Sequence, residues 1–171
     1  MTDELTTTQR RFRAAMANLS TAVNIVTTDG VSGKAGITVS AVCSVTDSPP
    51  TLLVCVNQSS YTHDIFRTNR RMAINVLAPQ HENLAVQFAG ATDVPMLDRF
   101  RFDVWDHDSF GIPVVRDAAA VLIGQVGAEF TQGTHTVLFV EVEDVFVDED
   151  AGALAYFRRA FHRIAPTGAN A

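Results

Sequence analysis

The sequence predicts a mainly β fold with peripheral helices, built as a closed or nearly closed antiparallel barrel. Two long β-rich runs, "AAVLIGQVGAEF" and "HTVLFVEVEDVFV", fill much of the C-terminal half. Helical patterns are few and scattered, and they do not alternate regularly with strands. That argues against a doubly wound parallel sheet and for an antiparallel barrel. A length of 171 residues suits one domain with its own core.

Phe12, Ala15, Met16 and Leu19 recur at helical spacing, so Thr8 to Leu19 predicts an amphipathic helix. In "TAVNIVTT", Val23, Ile25 and Thr27 alternate with Ala22, Asn24 and Val26, the period of a strand. "DGVSGKAG" is a Gly-rich turn into a second strand, "ITVSAVCSV", which the prolines of "TDSPP" end. "TLLVCVN" is continuously apolar and predicts a strand buried on both faces. "SSYTHDIFRTNRR" predicts a short helix with Ser59 or Ser60 as N-cap, and "MAINVL" predicts another strand. Pro79 near a first helical position, Leu84 and Phe88 on one face, and Gly90 as a stop predict a helix in "APQHENLAVQFAGA". "VPMLDRF" reads as a helical turn. The two long runs and "ALAYF" complete the strands, and about residues 1–7 and 166–171 are expected to be flexible tails.

Apolar content of 47% and charged content of 19% are ordinary globular values. The net charge of −6 argues against nucleic acid and anionic membranes as main partners, since both call for a positive footprint. The stretch "MTDELTTTQRRFRAAM" lacks an apolar signal segment, which predicts a cytoplasmic protein, and no apolar run is long enough to span a bilayer. In a reducing compartment Cys43 and Cys55 are expected as two buried structural thiols rather than a disulfide.

Most chemical motifs fail. Gly30, Gly33 and Gly36 are three apart and lead into a strand, so they are neither a Rossmann fingerprint nor a P-loop. "HENLA" lacks the second histidine of a zinc protease, there is no nucleophile elbow, and the five histidines show no metal-ligand spacing. His135 follows Gly133 and Thr134 at a tight turn, where it is either solvated or able to bond a ligand amide. "YFRRAFH" is either an aromatic core position beside solvated arginines or a stacking surface with a cation, and residue types leave these even.

The stretch "GITVSAVCSVTDSPPTLLVCVN" is richer. Thr38 and Ser40 share a strand face with small neighbours, which lets a flat ring approach the backbone. Asn57, Ser59, Ser60 and Thr62 then crowd a strand-to-helix junction, where hydroxyls and free N–H groups form an anion site without a basic residue. Together they point to a phosphate-bearing ring ligand.

With "FRAAMANLSTAVNIVTTDG", "INVL", "FAG", "RF", "GTH" and "YFRRAFH" in the same order, nearly the whole chain resembles the short-chain flavin reductases. These are the reductase components of two-component flavin-dependent monooxygenases such as 4-hydroxyphenylacetate 3-monooxygenase. The resemblance implies a split β-barrel of the FMN-binding flavin reductase type over residues 1–171, assembled as a homodimer. It implies hydride transfer from NADH or NADPH to FMN or FAD, with reduced flavin diffusing to an oxygenase that acts on an aromatic or heterocyclic substrate. Rival readings are a reductase serving ferric iron or a corrinoid, and a non-catalytic flavin-binding module. The implied flavin residues are Gly36, Thr38, Val39, Ser40, Ala41, Cys43, Cys55, Val56, Asn57, Ser60, Tyr61, Thr62, Gln87 and Phe88. His135, Phe157, Arg158 and Arg159 fall to the nicotinamide side, with His135 orienting the ring and no catalytic acid, base or metal. Many relatives carry an acidic residue where Thr134 stands. Backbone N–H groups of Ala41 to Ser44 are expected to face negative charge developing on the flavin.

Overall fold

A computed structural model describes residues 4–166; of the tails expected at about 1–7 and 166–171, residues 1–3 and 167–171 lie outside the described residues, while Thr6 and Thr7 cap and begin a helix. In chain order the elements are α1 (Thr7–Met16), β1 (Thr21–Ala22), β2 (Asn24–Thr28), β3 (Ala35–Val39), β4 (Val42–Asp47) and β5 (Pro50–Asn57). Then come α2 (His63–Asn69), β6 (Arg71–Val76), a 3-10 turn (Pro79–His81), α3 (Glu82–Phe88) and a second 3-10 turn (Met96–Arg101). The chain continues through β7 (Trp105–His107), β8 (Pro113–Val115), β9 (Ala120–Gln132), β10 (His135–Val147), β11 (Ala153–Phe157) and β12 (Ala160–Ile164). Among the described residues no helix is long and apolar enough to cross a membrane.

Seven strands form one antiparallel sheet in the order β3-β2-β6-β9-β10-β5-β4. β3 and β4 are consecutive in sequence yet occupy opposite edges, so the sheet must curl for the short corner Ser40–Ala41 to join them. At that corner the Val42 N–H donates to the Ser40 carbonyl at 3.0 Å, and the Cys55 N–H to the Ala41 carbonyl at 3.1 Å. The edges do not pair with each other, so the expected barrel is split rather than closed. The run "ITVSAVCSV" is accordingly two strands and not the single one expected. β1, β11 and β12 form a small sheet, and β7 and β8 a two-stranded ribbon. Neither the ribbon nor β12 was foreseen, because their segments are short.

β2 and β6 are buried on both faces and divide the interior. Ile25 and Ala73 enter one apolar cluster with Phe88, Trp105 and Leu154, while Val26, Met72 and Ile74 enter another with Phe66, Val54 and Leu138. β5 was expected to be buried throughout. Instead Leu52, Val54 and Val56 are buried while Thr51, Leu53 and Cys55 are half-exposed, because only one face of this strand looks into the barrel. Gly124 lies mid-strand in β9 beside a register shift, where a Cβ would collide with the Glu141 carbonyl oxygen of β10. A buried network links three elements. Asn75 Nδ2 donates to the Ile25 carbonyl at 2.8 Å, the Val115 N–H donates to Asn75 Oδ1 at 2.8 Å, and Thr27 Oγ1 donates to the Pro113 carbonyl at 2.6 Å.

α1 starts at a reciprocal cap: the Gln9 N–H donates to Thr6 Oγ1 at 3.1 Å and the Thr6 N–H to Gln9 Oε1 at 2.7 Å. None of its residues is buried. Its apolar stripe therefore does not face this chain's core.

His81 is buried, and its Nδ1 accepts the Ala78 N–H at 3.3 Å. Burial pushes its pKa below the usual imidazole value, outweighing a hydrogen bond with the Arg116 backbone and the charge of Asp117. The folded form thus resists a proton that the unfolded chain accepts. Stability is expected to be level above about pH 7 and to decline as pH falls through the ordinary imidazole value of about 6.5. Urea midpoints for the parent chain and His81→Gln across that window check this, the variant showing the shallower slope.

Candidate functional site

β3 and the end of α3 carry two adjoining cavities. The larger, about 800 Å³, is lined by Gly36 and Ile37 of β3, by Ser60, Tyr61 and Thr62, and by Arg99 and Arg101. The smaller, about 360 Å³, continues along Thr38, Val39 and Ser40 and is bounded by Tyr156, Arg159 and Phe161 of the β11–β12 hairpin. Ala89, at the end of α3, lines both. Gly36 is fixed by its neighbours: a Cβ there would stand 2.6 Å from Phe88 Cε1 and 3.2 Å from Phe100 Cζ. Phe88, Phe100 and Trp105 pack edge-on or tilted at centroid separations of 5.1, 5.4 and 4.9 Å, so the ring under Gly36 cannot retreat.

The hydroxyl cluster is ordered by bonds within itself. Asn57 Oδ1 accepts from the N–H and the hydroxyl of Ser59, each at 3.0 Å. Ser60 Oγ and Thr62 Oγ1 are 2.8 Å apart, and the Thr62 N–H donates to Ser60 Oγ at 3.3 Å. Thr62, not Ser59 or Ser60, occupies the N-cap of α2, and its side chain makes no capping bond. The cation that residue-type reasoning did not supply is Arg99, whose Nε donates to the Val94 carbonyl at 2.9 Å and whose guanidinium lies 5.9 Å from the Phe88 ring centroid. Arginines on both sides of Phe100 were the available signal. Arg101, the other one, also lines the larger cavity and pairs there with Asp98 at 3.0 Å.

Other predicted residues fall differently. Thr38 lines the smaller cavity, but its hydroxyl donates to the Ala85 carbonyl at 2.7 Å and so ties β3 to α3. Gln87 accepts a 2.6 Å bond from Thr92 and lines a separate cavity on the far side of α3. Phe88 lines the larger cavity and belongs to the core beneath Gly36. Val56 is buried in the barrel interior. Cys43 is exposed, not buried as expected, because β4 is an edge strand that is exposed on both faces from Cys43 to Asp47. Cys55 is half-buried, and burial raises its thiol pKa, which disfavours the reactive thiolate. Of the backbone donors expected along Ala41 to Ser44, the Val42 N–H is taken by Ser40.

His135 is exposed and pairs with Asn57 in the β10–β5 ladder. Its Nδ1 lies 3.0 Å from Thr134 Oγ1, so Thr134 holds the ring where an acidic neighbour is lacking. The Gln58 N–H donates to the Thr134 carbonyl at 2.9 Å and sutures this turn to the hydroxyl cluster. Arg159 lines the smaller cavity; His135 lines neither cavity. Phe157 and Arg158 belong to the hairpin tip, with the Arg158 guanidinium 5.2 Å from the Phe157 ring centroid.

A split barrel whose adjoining cavities along β3 carry hydroxyls and arginines has the make-up of a site for a flat, phosphate-bearing ligand. The chain matches the flavin reductase like domain over residues 16–165 and belongs to that family. It is 48% identical over 156 residues to the 4-hydroxyphenylacetate 3-monooxygenase reductase component of Pseudomonas aeruginosa, covering 91% of this chain and 92% of that protein. It is 47% identical to the FMN reductase (NADH) RutF of Variovorax paradoxus, over 90% of this chain and 84% of that one. The solved structure of the Streptomyces globisporus NADH:FAD oxidoreductase SgcE6 with NAD and FAD fragments aligns at a TM-score of 0.85 and 26% identity, over 96% of this chain and 99% of that chain.

Proposed function

We propose that this chain is an NAD(P)H-dependent flavin reductase that supplies reduced FMN or FAD to a flavin-dependent oxygenase. One observation carries the reading: two joined cavities along β3 offer a small-residue floor with phosphate-binding groups at one end and an aromatic-cationic hairpin at the other. Family membership and relatives named as flavin reductases support it. The residues present fit a flavin. Gly36 lets β3 close onto Phe88 and Phe100 beneath the larger cavity, and Ser60 and Arg99 line that cavity with groups that suit a phosphate.

When both are bound, nicotinamide supplies a hydride and flavin accepts it. The chain's part is to hold the two rings in register, which explains why no acid, base or nucleophile is needed. Gly36 to Ser40 form the floor, Ser60, Thr62 and Arg99 hold the phosphate end, and Tyr156 with Arg159 borders the second ring. We place His135 as an orienting group, its ring fixed by Thr134. The domain spans the chain and acts as a homodimer; the exposed apolar side chains Val45, Phe130, Val145, Phe146 and Val147 on β4, β9 and β10 support that assembly.

Anaerobic mixing of the chain with FMN or FAD and NADH or NADPH tests the reading: flavin absorbance is expected to bleach catalytically, and no bleaching in any combination overturns it. Arg99→Ala is expected to weaken FMN binding about tenfold by removing a charged partner of the phosphate. Riboflavin, which has no phosphate, is expected to bind the variant and the parent equally. Fluorescence titration with both ligands checks this.

A further inference from the structure

The turn that supplies Ser60, Tyr61 and Thr62 to the larger cavity hangs from three consecutive residues at the start of β10, Thr134 to Thr136. Asn57 pairs with His135 in the β5–β10 ladder, and the Gln58 N–H donates to the Thr134 carbonyl at 2.9 Å. The third tie is His63, the first residue of α2, whose ring Nε2 lies 2.9 Å from Thr136 Oγ1. Both side chains are buried, at 8% and 2% exposure. The Asp64 carboxylate can only accept, so His63 Nδ1 donates to it at 2.9 Å, which leaves Nε2 to pair with the Thr136 hydroxyl. His63 itself lines neither β3 cavity. The body of α2 is held by other means: Phe66 is fully buried in the cluster with Val54 and Leu138, and the Arg67 guanidinium pairs with Glu129 of β9. Removing the His63 bond therefore leaves the helix docked and frees chiefly its first turn. That turn is closed by the His63 N–H donating to the Ser60 carbonyl and the Ser60 N–H to the Asn57 carbonyl, each at 3.0 Å. A shift of His63 is thus passed directly to Ser60 Oγ and Thr62 Oγ1, which stand 2.8 Å apart.

We propose that His63 is a positioning residue for the phosphate end of the flavin, its bond to Thr136 holding the Ser60 and Thr62 hydroxyls in place along the larger cavity. This rests on the flavin reductase reading and deepens it, because His63 acts through Thr136 and Ser60 and does not touch the ligand. Hydrogen bonds weaken steeply with misalignment, so a loosened turn loses phosphate contacts. The surface along β3 that borders the ring shares no bond with His63 and stays as it is. The same tie joins the hydroxyl wall to His135, the backbone neighbour of Thr136, so the two ends of the site are set by one short segment of β10.

Fluorescence titration with FMN and with riboflavin separates positioning from a purely structural role. The parent chain is expected to bind FMN more tightly than riboflavin. His63→Ala and, separately, Thr136→Val are each expected to weaken FMN binding about fivefold and to leave riboflavin at the parent value. His63→Gln, whose amide can stand where Nε2 stands, is expected to recover FMN affinity to within about twofold of the parent. The double variant is expected to lose no more than either single change, since both break one bond. Partial unfolding would lower the apparent affinity for both ligands alike, so the ratio of the two affinities reports the phosphate end alone. An unchanged ratio in His63→Ala and Thr136→Val, with the parent still preferring FMN, overturns the proposal and leaves the flavin reading standing. So does a failure of His63→Gln to recover. A parent chain that binds FMN no more tightly than riboflavin overturns the phosphate site and the proposal with it.

Discussion

Gly36→Val is expected to abolish measurable flavin binding and to destabilise the fold by about 1–3 kcal/mol, the usual range for overpacking. The first added carbon would meet Phe88 at 2.6 Å, and Phe88 is itself enclosed by Phe100 and Trp105. Either β3 lifts away from α3 or the aromatic trio rearranges, and both movements deform the floor of the larger cavity. Gly36→Ala is expected to fall between parent and Val in both properties. Calorimetric FMN titration and urea melts of both variants measure the effect. Parent-like affinity in Gly36→Val would show that the cavity along β3 is not the flavin site.

Asn75→Ala is expected to cost about 2–4 kcal/mol without touching the site. Asn75 is fully buried and serves the Ile25 carbonyl through one amide atom and the Val115 N–H through the other, so it joins β6 to β2 and to β8. Alanine strands the Val115 N–H without an acceptor and leaves a cavity. Thr27→Val, which removes the bond to Pro113, is expected to cost less, because it leaves apolar volume in place. Urea melts at neutral pH separate the two; equal midpoints for parent and Asn75→Ala would refute the role of the network.

The strand content was legible because β2, β6, β9 and β10 carry residues whose alternation or apolar length leaves little choice. The break at Ser40–Ala41 was not, since small and β-branched residues run through it without Gly or Pro; tertiary curl, not local propensity, divides β3 from β4. The hydroxyl cluster at Asn57 to Thr62 was visible as a cluster, but its internal hydrogen bonds depend on the turn geometry. Arg99 could not be placed in the same cavity as Ser60 from spacing, because a loop of unpatterned residues intervenes. Cys43 was misjudged for a related reason: a thiol in an apolar run reads as buried unless the run is known to be an edge. The roles of Arg158 and Arg159 could not be separated in one dimension, since the bonds of Arg158 to Ala17 and Asn18 join opposite ends of the chain.

The strand order also bears on how the chain is made. β10 bonds β5 on one side and β9 on the other, while β9 bonds β6. A nascent chain on the ribosome can form the β2–β3 and β4–β5 pairs locally, but it cannot join them into one sheet until the β9–β10 hairpin has left the exit tunnel. Until then β5 and β6 present bare edges. The protein therefore completes its sheet late in synthesis, and slow translation upstream of β9 prolongs its exposure to misassembly and to chaperones.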